Sequence, residues 1–188
     1  MSKVTWKPST LLGPVPAVLV SCGSEQKPNA LTIAWTGIIN SDPPMTYISV
    51  RPERHSYNII KESGEFVINL VPRSLVRATD FCGVRTGAKM DKLKKLKLTV
   101  KKGQTVSAPL INESPICLEC KVTEVKKLGT HDMFLAEITA VQIEEEYIDS
   151  NGKLRMDKCR LVAYLHGEYF DLGKKLGSFG FSVKKKKK

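Results

Sequence analysis

The 188-residue chain contains no run of about 18 apolar residues, so none of it reads as a membrane-spanning helix. Its opening residues, Met1 to Trp6, hold no continuous apolar stretch ahead of a small-residue cleavage site, and no secretory leader is expected. Cysteine is sparse and odd in number, with Cys22, Cys82, Cys117, Cys120 and Cys159. In a chain without an export signal this points to free thiols in a reducing cytoplasm. The sequon Asn112-Glu113-Ser114, followed by Pro115, then has no role. Aromatic residues are few, 7%, and none interleaves with the lysine clusters, so a base-stacking platform is missing. There is no internal repeat, and no paired acid and base or nucleophile and base stands out.

What is present is an ordinary globular composition, 41% hydrophobic and 26% charged, in a chain long enough to bury about 70% of its unfolded surface. One domain over 1–183 is expected, followed by a disordered lysine tail at 184–188. The net charge is +11, and removing the five tail lysines leaves +6. A positive body favours anions in general without choosing among a phosphate-bearing cofactor, a nucleic acid or an acidic membrane surface.

Strand signals dominate. Ala17 to Ser21 is a short apolar run, and Ala30 to Thr36 alternates, with Leu31, Ile33 and Trp35 on one face and Ala30, Thr32, Ala34 and Thr36 on the other. Met45 to Arg51 alternates again after Asp42-Pro43-Pro44. His55 to Ser63 reads as a helix capped by Ser56 and stopped by Gly64. Phe66 to Leu70 reads as a buried strand, and Ser74 to Phe81 as a second helix stopped at Gly83. Arg85 to Lys102 holds seven lysines against Asp91 alone and is expected as an exposed, mobile excursion carrying one helical turn. Ile116 to Ile143 reads as a long hairpin turning at Leu128 to Asp132, and Arg160 to His166 as the last strand. The sum is a mostly β chain with a few helices, of α+β or barrel type.

The segment from Asn29 to Asn58 carries most of the chemistry. A strand face of Ala, Thr, Ala and Thr leaves room for a planar ring. Ser49, Arg51, Arg54, His55 and Ser56 supply the guanidinium groups, hydroxyls and helix start that a phosphate dianion favours. A half-exposed strand before an ordinary capped helix would show the same residues. Cys117 and Cys120 form a C-x-x-C, but three residues apart on a strand they point to opposite faces and cannot share a metal. His131 falls in a turn that commonly holds polar residues. Tyr164 and His166 share one face of the last strand and suit core or dimer contacts.

Asn29-Ala30-Leu31-Thr32-Ile33-Ala34-Trp35-Thr36, Pro43-Pro44-Met45 and Val50-Arg51-Pro52-Glu53-Arg54-His55-Ser56 together resemble the flavin reductase-like family, in particular its flavoredoxin-type members. Gly64 to Asn69, Phe81-Cys82-Gly83 before Asp91-Lys92-Leu93, Gly129-Thr130-His131-Asp132 and Tyr169 follow in the same order. The resemblance implies an FMN-binding split β-barrel, usually a homodimer. Such a protein holds FMN noncovalently, takes a hydride from NADH or NADPH, and passes electrons to free flavin or a redox partner protein. Carried over by position, Asn29, Thr32, Ala34, Trp35 and Thr36 border the isoalloxazine. Ser49, Arg51, Arg54 and Ser56 serve the phosphate, and Lys89 and Lys92 close over the phosphate or the flavin edge. Val50, Cys82 and Gly83 complete the cofactor set, and His131 is the catalytic candidate at the open ring face. No metal, nucleic acid or membrane enters this expectation. The alternative is a basic β-barrel that binds nucleic acid without redox activity, favoured by the charge and the Lys89 to Lys102 loop.

Overall fold

The computed structural model describes residues 1–184, and short antiparallel strands dominate them. In chain order the elements are β1 Val15–Pro16, β2 Val18–Gly23, β3 Pro28–Ile33, β4 Thr36–Ser41, β5 Pro44–Val50, α1 His55–Ser63, β6 Glu65–Leu70, α2 Val76–Val84, α3 Lys92–Leu96, β7 Val100–Lys101, β8 Leu110–Ile111, β9 Ile116–Lys127, β10 Asp132–Ile143, β11 Val162–Leu165 and β12 Glu168–Asp171. Seven strands form one sheet in the order β3-β2-β6-β9-β10-β5-β4. That order puts β3 and β4, consecutive in sequence, at opposite edges. Ala34 and Trp35 carry the chain across, and the Trp35 carbonyl accepts the Ser49 N–H of β5 at 3.0 Å. The sheet therefore curls until its edges meet at one seam, giving the expected split barrel.

β2 is buried on both faces, which explains its unbroken apolar run. Val18, Val20 and Cys22 join Ile48, Phe66 and Phe134 in the main core, together with Tyr57 and Ile60 of α1. Leu19 instead joins Ala30, Ala78, Cys82 and Leu93, where α2 and α3 cover the outside of the sheet. The β9–β10 hairpin forms as expected, with register shifts at Leu135/Ala136 and Ile138/Ala140. Cys117 packs with Val67 and Leu110 while Cys120 packs with Phe66, so the two thiols do lie on opposite faces. Burial pushes them up to about 11 and about 12, which keeps both protonated. Among the described residues no helix is long and apolar enough to cross a membrane.

Several sequence expectations need correction. The strand expected over Ala30 to Thr36 ends at Ile33, and Thr36 opens a separate strand paired with β5. Side-chain alternation continues across the seam, so periodicity cannot reveal the change of partner. Ser56 does not cap α1; the boundary residue is Arg54, without a side-chain cap, whereas Gly64 does stop the helix at φ 67°. Gly83 lies inside α2 instead of ending it. His166 is not in a strand: with φ 46° it forms, with Gly167 at 98°, the tight turn between β11 and β12. The lysine-rich excursion is not open either, because α3 buries Lys92 and Leu93. Lys185 to Lys188 of the expected tail lie outside the described residues.

Candidate functional site

A cavity of about 410 Å³ opens beside the seam. Ile33, Ala34 and Trp35 come from the seam itself, Ser49 and Val50 from the end of β5, and Arg51 is the residue that links β5 to Pro52. Arg54 precedes α1, Asp80, Gly83 and Val84 belong to the last turns of α2, and His131 ends the β9–β10 turn. Tyr164 and Tyr169 complete the wall from β11 and β12, where they pair across the hairpin edge to face with centroids 5.2 Å apart.

Arg54 fixes the geometry of one side. Its Nη1 donates to the Gly83 carbonyl at 2.9 Å and its Nη2 to the Cys82 carbonyl at 3.4 Å. A cation thus binds the carbonyl end of α2, which also suits that helix's dipole. Lys92, only 4% exposed, reaches the same place from α3, its Nζ donating to the Cys82 carbonyl at 3.3 Å and the Arg85 carbonyl at 3.1 Å. An ammonium has three donors, so one remains for a further acceptor. Burial holds the Lys92 pKa below its ordinary value.

These cations border a second cavity of about 210 Å³, which shares Arg54 and Val84 with the first and adds Ser56, Arg85, Gly87 and Lys92 among others, with one carboxylate, Glu53, that faces Arg51 at 3.6 Å. It lies at the start of α1, whose first turn has no acidic residue and no side-chain cap. Its leading backbone N–H groups are therefore free of side-chain acceptors, and an anion suits them. Behind this cavity Asn29 donates from Nδ2 to Ser56 Oγ at 2.6 Å. Gly87 is there because of space: a Cβ would collide with Asn29 Oδ1.

The seam end is different. Trp35 is 43% exposed, and its ring lies against the His131 imidazole with centroids 4.5 Å apart and planes tilted by 37°. Burial, with the Arg51 charge adding to it, lowers the His131 pKa, so the imidazole is neutral at pH 7. Arg51 meets Glu53 at 3.6 Å, but both are exposed and the pair contributes little. On the opposite wall burial pushes the Tyr169 phenol up to about 12, with the Asp80 charge next in importance.

The structure thus gathers Thr32, Ala34, Trp35, Ser49, Val50, Arg51, Arg54, Gly83 and His131 of the expected set around one cavity, and Arg54, Ser56 and Lys92 around the adjoining one. Asn29 reaches the latter through Ser56. Thr36, Cys82 and Lys89 line neither. Thr36 donates to the Tyr47 carbonyl at 2.5 Å, the Cys82 thiol is buried beneath α2 and offers only its backbone carbonyl, and Lys89 lies exposed in a turn. The small face of β3 is not an open platform either: Ala30 is buried against α2, and the Thr32 hydroxyl donates to the Thr79 carbonyl. Small side chains there let a helix approach closely, and Thr32 reaches the cavity only at the edge of that contact. Asp80, Val84 and Tyr164 were missed. The His166-Gly167 turn was the available signal for the hairpin that presents Tyr164; nothing in the sequence marked Asp80.

A seam-split antiparallel barrel with a cation-bordered trough at the seam places the protein in the split-barrel class. The chain belongs to the flavin reductase-like family: its residues 12–173 match the flavin reductase like domain. Its structure superposes on the flavoredoxin of Desulfovibrio vulgaris (Miyazaki F) with a TM-score of 0.89 at 30% identity, over 97% of this chain and 100% of that one. An FMN-binding protein from Thermus thermophilus shares the fold, with a TM-score of 0.78 at 21% identity over 95% of this chain and 97% of that one. An uncharacterized protein of Aeropyrum pernix is 30% identical over 156 residues, covering 82% of this chain and 59% of that protein's length.

Proposed function

We propose that the trough holds FMN noncovalently and that the protein is an NAD(P)H-dependent flavin oxidoreductase of flavoredoxin type. The observation that carries this reading is the pairing of two unlike ends in one trough. At one end the buried Lys92, the Arg54 fork and the open start of α1 suit a phosphate dianion; at the other, Ala34, Trp35 and His131 border the wider cavity of about 410 Å³. The fold's likeness to an FMN-binding protein supports the choice of flavin.

Bound FMN would supply the acceptor for a hydride from C4 of NADH or NADPH, with free flavin or a partner protein taking the electrons onward. The chain's own residues have simpler tasks. Lys92, Arg54, Ser56 and the first N–H groups of α1 bind the phosphate, aided by Arg51 just after β5. Ala34, Val50 and Gly83 border the ring without blocking it. Trp35 and His131 form the exposed side of the mouth, where the reduced nicotinamide enters; the neutral imidazole can accept or donate one hydrogen bond and does not repel the cationic oxidised ring that forms. No residue here moves a proton in the hydride step.

The homodimer belongs to the same reading. Trp6, Leu12, Ile38, Leu176 and Phe179 are between 68% and 107% exposed, more apolar surface than an isolated chain usually shows. Residues 1–183 act as one flavin-binding unit, and a cytoplasmic site of action suits the five unpaired thiols. Anaerobic titration of the purified protein with NADH and with NADPH tests the reading. Flavin absorbance should survive desalting and bleach with at least one nucleotide. Protein that is colourless and also fails to bind added FMN refutes it.

A further inference from the structure

Tyr57 of α1 and Asp132 of β10 form a buried polar pair to which the flavin reading gives no task. The Tyr57 hydroxyl donates to Asp132 Oδ2 at 2.6 Å, and the two residues are 6% and 5% exposed. A carboxylate taken out of water needs a partner, and Asp132 has no ion pair among the described residues. A charge-assisted bond from a phenol meets that need. The bond itself, more than burial, holds the Tyr57 phenol above its ordinary value, so the hydroxyl keeps its proton and remains the donor. Asp132 and Phe134 stand two apart on β10, on its buried face. The Tyr57 ring meets Phe134 edge to face at 5.3 Å, and its hydroxyl extends from there to Asp132. Phenylalanine in place of Tyr57 would pack in the same way and leave the carboxylate alone.

This bond joins the two ends of the trough. Asp132 lies opposite Val50 in the β5–β10 ladder and opposite Lys127 in the β9–β10 ladder, where each pairing ends. Val50 lines the seam cavity and leads through Arg51 to Arg54 into α1. Tyr57 follows Ser56 in the first turn of that helix, and Asp132 follows His131. The two sides are anchored unequally. The α1 side is held by Ile60 in the core, by Arg54 on the α2 carbonyls and by Ser56 on Asn29. The His131 side is a turn closed by the Leu128 N–H on the His131 carbonyl at 3.1 Å, with Gly129 at φ 101° near its tip. Loss of the Tyr57 bond therefore displaces the turn before the helix.

Building on the reading that a nicotinamide enters beside His131, we propose that Tyr57 and Asp132 are positioning residues whose hydrogen bond holds the His131 turn where it receives the nucleotide. Tyr57→Phe should raise KM for the reduced nucleotide by roughly three- to thirtyfold, while FMN affinity stays within about twofold. His131 meets the nucleotide in ground and transition state alike, so kcat should change by less than about twofold. Asp132→Asn keeps an acceptor of the same shape and should hold KM within about threefold of wild type. Asp132→Leu removes the acceptor and should reproduce Tyr57→Phe. Combining Tyr57→Phe with Asp132→Leu should add little to either, because both remove one bond. That double variant leaves neither a carboxylate nor a hydroxyl unpaired, and it carries the test where a single variant fails to fold.

Steady-state kinetics of the flavin-loaded, full-length protein read KM and kcat, and isothermal titration reads FMN affinity. Val67→Ala supplies the structural comparison: it opens a core whose residues line neither the seam cavity nor the anion cavity, and should lower stability with KM unmoved. The proposal is overturned if Tyr57→Phe leaves KM within about twofold of wild type, or if Val67→Ala raises KM as much. It is overturned as well if Asp132→Asn raises KM as far as Asp132→Leu, or if FMN affinity falls in step with KM. In each of these cases the flavin reading stands, since flavin still binds and is still bleached by the nucleotide. If wild type binds no flavin, or neither nucleotide bleaches it, both readings fall together.

Discussion

At the α1 end of the trough Lys92 and Ser56 are 4% and 2% exposed and tied by hydrogen bonds to neighbouring carbonyls and amides, whereas at the seam end Trp35 is 43% exposed and touches His131 only ring to ring. The first end is fixed before any ligand arrives. A phosphate there replaces water on groups already in place, so little ordering entropy opposes binding. At the second end the backbone is held, by the Ser49 N–H to the Trp35 carbonyl and the Leu128 N–H to the His131 carbonyl, but the Trp35 side chain is in contact with the His131 ring and remains open to solvent. The contrast divides the labour: the buried end retains a cofactor, and the exposed end admits what exchanges with it.

Lys92→Met breaks the retaining end and should have the largest effect. A hydrogen bond to a charged group contributes about 1.5–3 kcal/mol, so FMN affinity should fall roughly ten- to hundredfold. Riboflavin, which lacks the phosphate, should bind wild type and variant within about threefold of each other. Isothermal titration of the two flavins reads this directly. Equal losses for both would mean that Lys92 supports the ring instead of the phosphate, and the division of the trough would be wrong.

The same contrast explains what was legible in the sequence. Elements whose neighbours are close in sequence were visible: α1 with its Gly64 stop, β6, and the Ile116 to Ile143 hairpin announce themselves by period and turn residues. The seam did not. Ala34 and Trp35 keep the alternation of β3 while changing strand partner, and only the closed barrel shows that Trp35 meets Ser49. Lys92 was picked out by resemblance within a loop expected to be open, because a lysine-rich stretch gives no hint that one ammonium will be drawn under two helix-end carbonyls. The face of Ala30 and Thr32 showed the opposite fault. Its smallness was real, but a helix and not a ring fills the space beside it.

Trp35→Ala breaks the exchanging end. Aromatic pairs contribute about 0.5–1.5 kcal/mol, so flavin affinity should weaken by roughly two- to tenfold, well below the Lys92 effect. If the mouth admits the nucleotide, KM for the nicotinamide should rise by more than flavin affinity falls. Steady-state kinetics at saturating flavin check this. An unchanged KM would put the nucleotide elsewhere.

Ser56→Ala sharpens the comparison from within the retaining end. It removes the acceptor for Asn29 Nδ2 and leaves a buried amide donor short of a partner, a loss of about 1–3 kcal/mol in stability. Denaturant unfolding without flavin should show that loss. Adding FMN to saturation should stabilise wild type, and should stabilise the variant less, because the same residue borders the anion cavity.

The smallest effect expected is the pH response of the seam end. Burial, and the Arg51 charge after it, lower the His131 pKa below its ordinary 6.5, so the folded state prefers the neutral imidazole. The unfolded chain takes up its proton first as pH falls through about 6.5, while the folded protein resists. Stability contributed by His131 is therefore fully present above that pH and is lost as pH drops from it toward the folded value. Since the ring is only half buried, the change should be slight. His131→Asn should remove this part of the acid response and leave the rest of the profile intact, which unfolding midpoints measured from pH 8 to pH 5 will show. The expectation tightens with a ligand in place: a nicotinamide or other group covering Trp35 and His131 would bury the imidazole further and lower its pKa again, so the loss would still begin near pH 6.5 but grow larger and extend to lower pH, whereas a ligand confined to the Lys92 end would leave that part of the curve where it was.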